Sequence, residues 1–292
     1  MNFEIRYLTE YRYGGDVTDN LNALRVSPAP TGRQRVDELS VRTDPEARLH
    51  RHDDYFGTEV VEFAITEPHD HLTIDVRARV ATTPPPEPPE ADWRALAERD
   101  YVESAGEFLI RNGVARDERL DALHETTRAR TPLATVLLVG ELVPDTFDYR
   151  RGVTYVGSTI TDLLDAGAGV CQDFVHLSLE LLRRRGIAAR YVSGYLFASH
   201  GDETESIEVA THAWLEALLP VGESGEGPVW VGVDPTNRGL TGECHVKIGH
   251  GRHYADVPPT KGVYRGAAEA TLEASVRMTR TSGLDPAATA RA

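Results

Sequence analysis

A chain of 292 residues with 46 acidic against 31 basic side chains has a formal net charge of −15, which repels phosphate and argues against a nucleic-acid partner. A chain of this length buries about 75% of its extended surface, enough for one large or two ordinary domains without a metal or disulfide staple. Two cysteines, Cys171 and Cys244, make no disulfide framework and fit a reducing compartment; the opening MNFEIRYLTEYRY lacks a signal-peptide core and no later run could span a membrane, so a cytoplasmic location is expected.

Residues 1–81 read as short strands. Phe3, Ile5 and Tyr7 alternate with polar residues, and Leu24 with Val26, Leu39 with Val41, Val61 to Ile65 and Leu72 to Val76 follow between turn formers such as SPAPTG. This spacing predicts an antiparallel β-sandwich as the N-terminal domain. His50 and His52 beside Asp53 and Asp54, and His69 and His71 around Asp70, are the residues a metal would use here, but their spacing gives no reason for them to converge.

Residues 82–91 contain TTPPPEPPE, whose prolines cannot pair in a sheet and favour polyproline geometry. A semi-rigid linker and domain boundary is expected there, with a ligand for a proline-recognising partner as the other reading. A second domain then spans 92–280, and 281–292 reads as a flexible tail. Asp92 can cap a helix from Trp93, helical patterning continues through YVESAGEFLI and DERLDALHETTRAR, and Thr159 with Asp162 resembles a capping pair before a short helix. The acidic segment 200–208 reads as a solvated loop, or as a cleft wall favouring cationic substrates. GVYRGAAEATLEASVRM reads as a final strand.

The stretch from Gly167 to Tyr195 places a cysteine after a flexible glycine pair and before an apolar helix. Gly167 and Gly169 would let a substrate backbone approach, and Cys171 falls in the first turn of the helix, where free N–H groups and the positive dipole end favour a thiolate. Phe174, Leu177 and Leu181 on one stripe and Val175, Leu179 and Leu182 on another predict burial nearly all round, ending at Arg183, Arg184, Arg185 and Gly186. A free cysteine is also a common buried hydrophobe, so this stretch alone leaves both readings open. A thiol with a reference pKa of about 8.5 needs roughly 6 kcal/mol to reach about 4, and a helix dipole supplies at most about 2 kcal/mol. A partner base is required, and Asp173, two residues on, adds opposing charge.

Residues 210–219 alternate so that His212, Trp214 and Glu216 share one face and Ala213, Leu215 and Ala217 the other, and 229–234 do the same with Asp234 on the polar side. PVGESGEGP between them reads as a hairpin loop. A register centred on residue 223 sets His212 opposite Asp234, Leu215 opposite Val231 and Ala217 opposite Val229. Alone, His212 reads as well as a satisfied strand histidine, and Asp234 before Pro235 as a strand terminator.

The motifs GVCQDFVHL, ARYVSGYL, THAWLEALLP, WVGVDPTN and YADVPPTKGVYRG, in this order, resemble the bacterial transglutaminase-like family. The resemblance implies an α+β fold: an N-terminal antiparallel β-sandwich followed by a papain-like core in which a helix-borne cysteine packs on an antiparallel sheet. It implies Cys171 as nucleophile, His212 as general base and acid, and Asp234 as the orienting carboxylate, acting on amide or isopeptide bonds of a protein or peptide through a thioester. Hydrolysis is expected, because water needs no acceptor site; transamidation onto an amine is the alternative, and a binding scaffold without turnover is the competing class. No cofactor is implied. The motif GRHYADVPP departs from the family in carrying His253 where aspartate is usual, and Cys244, His245, His250 and His253 match no structural zinc spacing. The sequence does not disclose the oligomeric state.

Overall fold

The computed structural model describes residues 1–111, 116–198, 206–209 by backbone, 211–220, 227–267 and 269–281. The acidic segment 200–205, the hairpin loop 221–226 and the tail 282–292 lie outside the described residues.

The N-terminal strands are β1 (Asn2–Leu24), β2 (Gln34–Asp44), β3 (His50–Asp53), β4 (Glu59–Ile65) and β5 (His69–Thr82). Helices α1 (Arg99–Ala105), α2 (Glu118–Thr126) and α3 (Pro132–Thr146) follow, then β6 (Asp148–Tyr149), α4 (Ile160–Ala166), β7 (Ala168–Gly169) and α5 (Cys171–Arg184). The chain continues through β8 (Ala189–Leu196), β9 (Ser206–Val209), β10 (Thr211–Leu219), β11 (Val229–Asp234), β12 (Gly239–Leu240), β13 (His245–Gly251), β14 (Thr260–Arg265) and β15 (Ala270–Thr281). The α+β class and the antiparallel character expected from the sequence hold.

The Leu24 and Val26 segment is not a separate strand. β1 runs on through Gly14 and Gly15, so its first half pairs with β5 and β15 while its second half pairs with β4 and β14. One strand thereby serves two layers, and the sheet curls into the expected sandwich around Phe3, Ile5, Leu24, Val61, Leu72 and Ile74. The final segment, read as one strand of the second domain, is two strands, and both pair with β1. The chain therefore returns across the linker to close the sheet with which it began.

The second sheet has the order β12–β11–β10–β8–β13, antiparallel throughout. Phe174, Leu177 and Leu181 of α5 pack with Ala213, Leu215 and Ala217 of β10 in one buried cluster, which explains why both stripes of that helix are apolar. The other side of α5 meets α3, an element the sequence reading passed over. Thr131 caps α3, its side chain accepting from Ala134 N–H, and Pro132 occupies the first turn. Gly140 lets α3 approach β11 closely, since a Cβ there would lie 2.8 Å from Val233 Cγ1.

The two units are tied by backbone as well as apolar contact. The Gln34 side chain donates to the carbonyls of Ala29 and Lys247, both at 2.7 Å, and accepts from Lys247 N–H at 2.9 Å. Tyr195 O–H donates to the Val26 carbonyl at 2.7 Å. No helix among the described residues is long and apolar enough to cross a membrane.

Candidate active site

Cys171 is the first residue of α5 and is partly exposed. The two glycines of the turn before it differ: the space above Gly167 is open, whereas Gly169 is packed and leaves no room for a substrate. Gly167 ends α4 in the left-handed region at φ 62°. Gly169 packs so tightly that a Cβ would lie 2.8 Å from both Asp173 Oδ2 and Leu163 Cδ1. Asp173 does not simply oppose the thiol with stray charge. Its Oδ2 accepts from the Val170 N–H at 2.8 Å and from the Thr154 hydroxyl at 2.6 Å, so the carboxylate caps its own helix and anchors the 150–158 loop beside the cysteine. The first intrahelical donors to Val170 O are Asp173 and Phe174 N–H. The Cys171 N–H precedes them and remains directed out of the helix end.

The β10–β11 hairpin forms as expected, but two residues out of the expected register. Leu215 faces Val233, Ala217 faces Val231 and Leu219 faces Val229, so the hairpin centres on residue 224. A slip of two leaves every side chain on its original face. His212 and Asp234 therefore become diagonal neighbours on one face, a separation that long side chains cross. The imidazole makes that crossing, and His212 Nε2 lies 2.7 Å from Asp234 Oδ2.

Asp234 is 1% exposed and fully engaged. Oδ1 accepts from the N–H groups of Thr236 at 2.9 Å and Asn237 at 3.1 Å, while Oδ2 also accepts from Asn237 Nδ2 at 2.7 Å and His245 Nε2 at 3.2 Å. Burial pushes this carboxyl up, but the hydrogen bonds from His212 and His245, the imidazolium charge and Asn237 together hold it well below the usual carboxylate range. Burial lowers the His212 pKa, yet hydrogen bonds to Asp234 and Cys171 and their negative charges outweigh it and raise the value to about 9. With Nε2 committed to Asp234, the ring nitrogen left for the thiol is Nδ1.

His245 was read from the sequence only as a possible metal ligand. The Gly242 N–H donates to its Nδ1 at 3.1 Å, which makes Nε2 the protonated nitrogen and Asp234 its acceptor. Trp214 packs edge-on against the His245 ring at 5.3 Å, and only a glycine at 194 allows this, since a Cβ there would lie 2.3 Å from the indole. No local motif points to His245, because it reaches Asp234 only through the pairing of β13 with β8 and of β8 with β10.

The other imidazoles disperse. His50 stacks on His52 at 5.7 Å, His69 meets Asn20 at 3.0 Å, His71 meets Asp70 at 2.8 Å, and His250 lies 3.0 Å from Arg190. His253 is 3.8 Å from Asp256, and Cys244 lies against Met1. Among the described residues, no three His, Cys, Asp or Glu side chains converge as a metal site. Tyr149, on the strand β6 that pairs with β7, borders the cysteine; burial, and then negative charge at Cys171, raises its phenol pKa.

Residues 3–81 match the bacterial transglutaminase-like N-terminal region, and residues 121–235 match the transglutaminase-like superfamily. An uncharacterized protein of Mycobacterium leprae is 33% identical over 282 residues, covering 93% of this chain and 96% of its own. An uncharacterized protein of Mycobacterium tuberculosis is 34% identical over 293 residues, covering 94% and 91%. A solved structure described as a candidate cysteine protease from Cytophaga hutchinsonii has the same fold, with a TM-score of 0.72 at 23% identity over 98% of this chain and 93% of that one.

Proposed function

We propose that this chain, which belongs to the bacterial transglutaminase-like family, is a cysteine-dependent acyl-transfer enzyme that cleaves amide or isopeptide bonds of proteins or peptides. The observation that carries this reading is the His212 imidazole bonded at 2.7 Å to a buried carboxylate and near enough to Cys171 for the sulfur to favour its protonated form. A protonated imidazole beside the thiol sulfur is the arrangement nucleophilic cysteine chemistry requires.

The sulfur of Cys171 attacks the substrate carbonyl carbon, forming a C–S bond and a tetrahedral oxyanion within reach of the Cys171 N–H. Collapse breaks the C–N bond, and His212 delivers its proton to the departing amine. Water then attacks the thioester, His212 removes its proton, and the C–S bond breaks to release the acid and restore the starting enzyme. Asp234 keeps the imidazole oriented through both halves and stabilises it whenever it carries the proton. Hydrolysis asks for no acceptor subsite, and it is the outcome we favour over transamidation.

Amine competition tests the assignment. With pooled glutamine-containing peptides and a fluorescent primary amine, release of ammonia or peptide amine without incorporation of the fluorophore is expected. Incorporation dependent on Cys171 would replace hydrolysis by transamidation, and no reaction in either channel would leave the scaffold reading in place.

A further inference from the structure

The face of the second sheet turned away from α5 carries a second set of charged groups. Glu216 Oε2 accepts from Arg190 on β8, with Nε at 2.7 Å, and from Lys247 Nζ on β13 at 2.6 Å. The Arg190 guanidinium also lies 3.9 Å over the Trp230 ring. From the turn between β1 and β2, half-buried Arg33 enters the same space, close enough to feel the negative charge of Glu216 and to oppose the charge of Lys247. His250 supplies no counter-charge: burial and then the positive charges of Lys247 and Arg190 push its pKa down to about 3. Among the described residues three cations therefore share the Glu216 carboxylate, and exposed Glu87 of the linker is the other acidic side chain lining the space, which leaves one positive charge in excess.

That space is a pocket of about 350 Å³. Arg33, Arg190 and Lys247, with Glu216 between them and Glu87 at the linker, form its charged wall; Trp230, Leu240 and linker prolines such as Pro86 form an apolar one. Cations drawn out of water and left unpaired are costly, and a bound anion relieves that cost. A pocket of this size with one apolar wall and convergent polar groups is also the usual form of a small-molecule site.

We propose that this pocket binds a small organic anion, whose carboxylate or phosphate is held by Arg33, Arg190 and Lys247 and whose apolar body lies along Trp230 and the proline-rich linker. The site stands apart from Cys171 and does not depend on the acyl-transfer reading. Arginine forks favour such planar or tetrahedral oxyanions, and the prolines present a wall that needs little ordering on binding.

Titration of the full chain with benzoate and with inorganic phosphate, at ionic strength held constant by sodium chloride, tests the assignment through tryptophan fluorescence and Tm. A saturable fluorescence change and a rise in Tm with at least one anion are expected, and the tighter of the two identifies the head group. Arg33→Gln, which breaks no ion pair among the described residues, should weaken binding about tenfold without lowering the ligand-free Tm. Cys171→Ala should bind as the wild type does, which separates this site from the catalytic reading. The proposal fails if neither anion saturates, if chloride alone reproduces the change, or if Arg33→Gln and Lys247→Met both bind as tightly as the wild type.

Discussion

Replacing Asp234 by Asn tests how the proposed nucleophile is activated. The carboxylate accepts five hydrogen bonds, three at Oδ2 and two at Oδ1. An amide offers one acceptor atom, so one orientation sets its NH2 against His212, His245 and Asn237 and the other sets it against two backbone N–H groups. The charge is lost as well, leaving Cys171 to oppose the effect of burial on the imidazole. A rise of the His212 pKa from 6.5 to about 9 corresponds to about 3 kcal/mol of preference for imidazolium. Loss of most of that preference reduces the population of the Cys171–His212 ion pair by up to about a hundredfold. Iodoacetamide labelling of native protein between pH 5 and 9, read site by site by mass spectrometry, measures the effect with Cys244 as internal reference. Cys171 in the wild type should react quickly below neutral pH, and in Asp234→Asn only at higher pH. An unchanged Cys171 profile in a variant with native circular dichroism would refute the role given to Asp234.

Further outcomes follow from the same geometry. The raised pKa of His212 contributes stability that is full below pH 6.5 and is lost as pH rises through about 9, so the gap in unfolding free energy between wild type and His212→Gln should narrow across that window in urea titrations. Gly140→Ala places a methyl 2.8 Å from Val233 Cγ1, one residue before Asp234, and should cost about 1–3 kcal/mol with a fall in kcat as β11 shifts. His245→Phe keeps the contact with Trp214 but removes one donor to Asp234; kcat should fall severalfold at unchanged KM, with a shift in the acidic limb of the pH–rate profile. Thr154→Val removes the 2.6 Å bond to Asp173 and should raise protease sensitivity of the 150–158 loop without altering global Tm by more than a few degrees.

What the sequence disclosed was what is local. The helix behind Cys171, its stop at Gly186 and the two faces of β10 and β11 follow from periodicities that need no partner. The hairpin register is less local: apolar faces match equally well when a strand slides by two, and only the loop and the packing choose residue 224 over 223. α3 escaped notice because it is apolar on more than one side, being packed between α5 and the sheet, and Pro144 interrupts its pattern. The continuation of β1 through a glycine pair and the return of β15 to it are pairings between residues more than 250 positions apart, which no window of sequence contains. Asp173 was read as a charge, and its function as a cap emerges only when Thr154 comes to meet it. His245 was visible as a residue type but not as a donor to Asp234, since two strands of the sheet, β10 and β8, intervene.

The central claim is that Cys171 carries a covalent acyl intermediate. Intact-mass analysis of protein mixed with pooled synthetic peptides and quenched in acid, followed by localisation in the peptide containing Cys171, tests it most directly. The account predicts a mass increase equal to the acyl fragment on Cys171, no adduct on Cys244, and neither adduct nor turnover in Cys171→Ala. Turnover that persists in Cys171→Ala, or an adduct found elsewhere while Cys171 stays unmodified, would contradict it.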